Sequence, residues 1–126
     1  MSEAIRSFRD LKAWQLSLDA CLAIYRATSR FPDCERFGLT TQLRRAAVSV
    51  PSNIAEGYGR GARAEYVRFC RIARGSLFEI ETQLLIAAEL GYLDHGEYES
   101  IKSQLQESGR VLAGLLRSLK GVESQA

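Results

Sequence analysis

Apolar side chains recur three and four residues apart in four successive runs, and no other feature constrains the fold as strongly. Leu11, Trp14, Leu18, Cys21, Tyr25 and Thr28 form the first run, which the Phe31-Pro32 step ends. Leu39, Leu43, Ala46 or Ala47, Val50, Ile54 and Tyr58 form the second, closed by Gly57, Gly59 and Gly61. The third carries Tyr66, Phe69 or Cys70, Ala73, Leu77, Ile80, Leu84 and Ala87, and stops at Gly91. Asp94 with Glu97 three residues on reads as a capping box for the fourth, which carries Tyr98, Ile101, Leu105, Leu112, Leu115 and Leu119 and stops at Gly121. The spacing predicts helices over about residues 9–31, 35–60, 63–90 and 94–120, with a frayed tail after Lys120. No run of strict alternation is long enough for a strand. Short connections favour antiparallel neighbours, so the expected architecture is all-α: one domain over residues 1–126, an up-down-up-down, left-handed antiparallel four-helix bundle.

Pro51 interrupts this pattern. Inside a helix it removes an amide donor and crowds the carbonyl of Ala47, at a cost of ~3 kcal/mol. The apolar spacing Ala47, Val50, Ile54 passes through it without a phase change, which favours a kinked but continuous helix over a break restarted by Ser52 or Asn53. At 46% hydrophobic and 25% charged residues, the chain has the composition of a soluble globular protein. The opening MSEAIRSFRD does not read as a secretory signal, and no apolar stretch approaches a membrane span. Cys21, Cys34 and Cys70 are odd in number and contain no CxxC pair, which disfavours a disulfide framework and makes a reducing cytoplasm the expected setting.

Metal and catalytic signals are poor. His95 is the only histidine, so no pair of histidines can hold zinc, and its place beside the Asp94 cap puts it on the surface. The cysteines lie on or near apolar stripes and read as small core residues. No Glu-x-x-His motif exists for a di-iron site. Gly57-Tyr58-Gly59-Arg60-Gly61 follows a helix and lacks a P-loop lysine, so it reads as a helix stop and tight turn. Neither an enzyme nor a resident cofactor or metal is expected.

The charge is unevenly spread. The net is +2, yet residues 36–74 hold eight arginines (Arg36, Arg44, Arg45, Arg60, Arg63, Arg68, Arg71, Arg74) against Glu56 and Glu65, a local net of +6. Arginine's planar fork suits phosphates, carboxylates and aromatic faces. Two polar ladders lie within the helices: Ser49, Asn53, Glu56 and Arg60 on the second, and Ser76, Glu79 and Gln83 on the third. They are either solvated outer faces or surfaces that meet across helices or subunits, where a buried carboxylate would need arginine and amide partners. Extra apolar residues (Val67, Ile72, Phe78, Leu85 and Ile86 on the third helix; Leu16, Leu22 and Ile24 on the first) either widen the core or serve subunit contacts.

The segment from Leu43 to Arg60, LRRAAVSVPSNIAEGYGR, closely resembles the signature of the four-helix-bundle proteins encoded in intervening sequences of bacterial 23S ribosomal RNA genes. Phe8-Arg9-Asp10-Leu11-Lys12-Ala13-Trp14, Gly75-Ser76-Leu77, Glu81-Thr82-Gln83-Leu84 and Leu90-Gly91-Tyr92-Leu93 resemble it too, so the likeness spans about residues 8–120. The same family includes the accessory variability determinant of diversity-generating retroelements, which implies a homopentamer that binds nucleic acid and a reverse transcriptase. One departure is Gly61-Ala62-Arg63-Ala64, where relatives often have a basic, serine-containing turn. The resemblance implies a non-enzymatic RNA- or DNA-binding accessory protein; the alternative is a scaffold docking a protein such as a reverse transcriptase. Candidate phosphate contacts are Arg44, Arg45, Arg60, Arg63, Arg68, Arg71 and Arg74, with Arg60, Arg63, Arg71 and Arg74 expected to form a basic band where the second and third helices join. The competing expectation is that Arg45 and Arg60 pair with Glu56, Glu79 or a neighbour's carboxylate.

Overall fold

The computed structural model describes residues 4–124, with side chains up to residue 120. Four α-helices make up nearly all of it: α1 (Lys12–Thr28), α2 (Leu39–Gly59), α3 (Arg63–Glu89) and α4 (His95–Ser124), with no strand among the described residues. Packing is cyclic: α2 lies against α1 and α3, and α4 against α1 and α3. The second and third helices meet through Gln42 with Gln83, Ser49 with Ser76, and Gly57 with Phe69.

The first helix begins at Lys12 rather than near residue 9 because a 3-10 turn, Phe8–Asp10, precedes it. Ser7 and Asp10 close a capping box around that turn, a signal the periodicity masks. A second 3-10 turn, Asp33–Glu35, delays α2 to Leu39, whose amide donates to the Glu35 carboxylate at 3.1 Å. Pro51 sits inside α2 and is buried, and the helix is continuous through it. Gly91, at φ +81°, ends α3 with the Tyr92 amide reaching back to the Ala87 carbonyl at 2.9 Å, a left-handed stop that favours glycine. At the start of α4, Asp94 accepts from the Glu97 amide at 2.7 Å, while the Glu97 carboxylate pairs with Arg30. That helix continues past Gly121 to Ser124; of the tail expected to fray, residues 125–126 lie outside the described residues.

A single buried cluster runs through the four helices around Ile24, Leu43, Val50, Ile54, Cys70, Ile80, Leu84, Leu105 and Leu112. In α1 the buried stripe differs from the expected one. It passes through Ala13, Ser17, Ala20, Cys21, Ile24, Ala27 and Thr28, while Tyr25 is exposed and Trp14 and Leu18 are half-buried. Large residues dominate a hydropathy reading, but here small ones face inward. Of the extra apolar residues, Ile24 and Val67 widen the core, and both members of the Ala46/Ala47 and Phe69/Cys70 alternatives are buried. Cys34 departs from the expected core role and is exposed; His95 is on the surface.

Candidate nucleic-acid interface

The turn between α2 and α3 is built by glycine and aromatics. Gly61 at φ +77° reverses the chain, and α3 starts two residues later at Arg63. Next to the turn the two helices approach closely: a Cβ on Gly57 would lie 2.8 Å from Phe69 Cβ and 3.2 Å from the Tyr66 carbonyl. Phe69 is bracketed by two guanidiniums, Arg60 at 5.1 Å and Arg68 at 4.7 Å from its ring centre. Arg60 also pairs with Glu56 at 2.9 Å and Arg68 with Glu65 at 3.5 Å. These two arginines are therefore already engaged, and at most part of their charge faces outward. Tyr58 and Tyr66 meet edge to face, with ring centres 5.9 Å apart. Burial, with smaller contributions from Cys70 and Tyr58, pushes the Tyr66 phenol up to about 12, so it stays protonated at neutral pH.

The remaining arginines fall into different places. Arg63 and Arg71 are exposed and Arg74 half-buried; none of the three has an ion-pair or hydrogen-bond partner among the described residues. Arg68, Arg71 and Arg74 each turn about 60° further round α3, and Arg74 stands ~16 Å along the axis from Arg63. Arg74 borders the groove toward α4 with Phe78, Glu81 and Arg110. By the same rotation Arg63, Arg71 and Arg74 lie within about 80° of one another round α3, spread along its axis. Arg44 is half-buried and engaged with α1: its Nε donates to Thr28 Oγ1 at 2.8 Å, its Nη2 donates to the Tyr25 carbonyl at 3.2 Å, and it lies 4.7 Å over the Tyr25 ring. Arg45 is exposed beside a cleft with Tyr25, Thr41 and Val48.

The two polar ladders meet. Ser76 Oγ donates to Ser49 Oγ at 2.9 Å, and Asn53 Nδ2 donates to the Ser49 hydroxyl and carbonyl at 2.9 and 2.7 Å. Gln83 Nε2 reaches Gln42 Oε1 at 3.4 Å and Glu79 Oε2 at 3.5 Å, while Gln83 Oε1 is buried without a partner. Neither Glu56 nor Glu79 is a buried carboxylate; both are exposed. Gln42 was not legible as part of the seam, because nothing on its own helix marks it off from a solvated residue. No cluster of three or more His, Cys, Asp or Glu suited to a metal occurs among the described residues, and no helix there is long and apolar enough to cross a membrane.

These features define a small, all-helical, arginine-rich protein whose unusual surface chemistry sits at the α2–α3 turn and along α3. The chain belongs to the 23S rRNA-intervening sequence protein family, which matches residues 9–114. It is similar in fold to a protein of unknown function from the S23 ribosomal protein family of Bacteroides thetaiotaomicron: TM-score 0.75 at 23% identity, covering 83% of this chain and 98% of that one. No curated protein matches.

Proposed function

We propose that this protein is a non-enzymatic, cytoplasmic nucleic-acid-binding accessory protein that works as a homo-oligomer of antiparallel four-helix bundles. The observation that carries the reading is the set of unpaired guanidiniums of Arg63, Arg71 and Arg74 on one helix, next to Arg60 and Arg68. Unpaired arginines that cost nothing to detach from a carboxylate are free to replace counterions on a phosphate backbone. The antiparallel arrangement is supported by the α2–α3 pairings, in which 42 meets 83 and 49 meets 76. Assembly is supported by the exposed apolar residues of α3, Ile72 and Ile86 together with Phe78 and Leu85 beside the groove toward α4; Phe78 is 61% exposed. The family resemblance implies five copies, which would repeat the arginines around a ring and add weak contacts through multivalency.

The test is the triple Arg63, Arg71, Arg74→Gln variant, checked by sedimentation for unchanged assembly and then titrated with RNA and DNA. Binding should weaken, and the log–log salt slope should become shallower by about 2–3 per subunit engaged, at about −0.9 per phosphate on duplex. Unchanged affinity would favour the second reading, a scaffold that docks a protein such as a reverse transcriptase through the exposed apolar residues of α3. A sedimentation mass of a single 14.0 kDa chain at micromolar concentration would refute assembly.

A further inference from the structure

A cavity of about 300 Å³ opens at the α2–α3 turn, lined by Tyr58, Tyr66, Arg63, Gly61 and Leu119 among others. It is at the small end of the ~300–1,000 Å³ range of ligand sites, which suits one flat ring system. Two tyrosines that pack edge to face against each other, Tyr58 and Tyr66, form its aromatic wall. Neither phenol hydroxyl has a hydrogen-bond partner among the described residues. Arg63 lines the cavity with its charge unpaired, and no acidic side chain among the described residues lines it. Glu56 and Glu65, on the helices either side of the turn, pair with Arg60 and Arg68. Side chain is sparse at the turn: Gly61, which lines the cavity, has no heavy atom within 4 Å of where a Cβ would stand, and neither has Gly59 before it. A sugar–phosphate backbone could therefore run close past the turn.

We infer that this cavity takes one unstacked base of single-stranded nucleic acid, with Arg63 on the adjoining phosphate. The inference rests on the nucleic-acid reading above and narrows it. Aromatic walls recognise the π-face of any base, and the free phenol hydroxyls can meet polar atoms on its edge. A base in a duplex keeps both faces covered by its neighbours, so the cavity discriminates against double strands. Selectivity for strandedness, rather than for sequence, follows from a site with an aromatic wall and one cation.

The experiment is a fluorescence-anisotropy titration of the full chain with three labelled probes of equal length at one salt concentration: a single strand, the same strand with abasic sites, and the duplex. Stacking of about 1–3 kcal/mol per base corresponds to roughly 5- to 150-fold, so the single strand should bind at least fivefold more tightly than the abasic strand and more tightly than the duplex. Tyr58→Leu, with helicity checked by circular dichroism, should collapse the difference between intact and abasic strands. The abasic comparison leaves the protein unaltered, so it decides the matter even where the variant misfolds. Equal binding of intact and abasic strands would overturn the base pocket and leave the arginine reading standing. Binding to none of the three probes would overturn both.

Discussion

Gly57→Ala is the sharpest probe of the α2–α3 contact. The added Cβ would lie 2.8 Å from Phe69 Cβ, 3.2 Å from the Tyr66 carbonyl oxygen and 3.4 Å from Tyr66 Cα. Non-bonded carbons prefer about 3.5–4.0 Å. The obstructing atoms are backbone or directly attached to it, so no side-chain rotation relieves the overlap, and the helices must separate. Over-packing of this kind costs about 1–3 kcal/mol, against which alanine gains about 1 kcal/mol of helix propensity over glycine. The net is a loss of about 1 kcal/mol. Gly109→Ala in α4 is the control, because its nearest neighbour is Leu77 Cδ1 at 3.9 Å, an ordinary contact. It should keep the propensity gain of about 1 kcal/mol. The two variants therefore differ by about 2 kcal/mol, or roughly 8 °C in Tm for a chain of this size. Thermal and urea unfolding followed by circular dichroism read the difference. Should Gly57→Ala prove as stable as Gly109→Ala, the close approach of α2 and α3 is not what the geometry describes.

Arg44→Met removes the bonds to Thr28 and the Tyr25 carbonyl and should destabilise by about 1 kcal/mol, with Arg44→Lys recovering little because one ammonium cannot span both acceptors; denaturant midpoints check it. Pro51→Ala restores an amide bond worth most of the ~3 kcal/mol proline penalty and gives up two buried methylenes at ~0.8 kcal/mol each, so urea unfolding should show a gain of about 1 kcal/mol. The Glu35 carboxyl is held below its ordinary 4.5, first by the Leu39 amide and then by the Tyr92 hydroxyl. Its contribution to stability is therefore present above that pH and is lost as pH falls through the lowered value. Tyr92 is raised above 10.0, chiefly by its hydrogen bond to Glu35, so its contribution is present below that pH and is lost as pH rises through the raised value. Tyr92→Phe should lower Tm at neutral pH and flatten the alkaline limb, which melts across pH would show.

Much of the fold was legible because apolar spacing on α2 and α3 is carried by residues of one kind, from Leu43 to Ile54 and from Cys70 to Ala87. The first helix was misphased for a physical reason. Its inward residues Ala13, Ser17, Ala20 and Ala27 carry little hydropathy, whereas Trp14 and Tyr25 carry much and can lie along the surface with their polar edges wet. Helix starts were lost to two 3-10 turns, the first capped by Ser7 and Asp10 and the second carrying Glu35, which accepts from the Leu39 amide that opens α2. At the candidate site, arginine content was visible but arginine availability was not. Whether Arg44 faces phosphate or Thr28 depends on which helix lies beside it, and spacing within one helix cannot say. The Tyr58–Tyr66 cavity was missed for the same reason, since its walls come from either side of a turn.

The polar seam between α2 and α3 has a consequence for alignment. Two apolar helices can slide past one another by a turn, about 5.4 Å, and lose little, because one methyl group replaces another. Here a slip of four residues would set Ser49 against Ile80 or Ile72 and Gln42 against Ala87 or Glu79, and would carry Phe69 away from Gly57. The hydroxyl and amide pairs thus act less as glue than as graduation marks, allowing the hairpin a single setting. That setting also fixes the interval between Arg60, just past the end of α2, and Arg71 on α3.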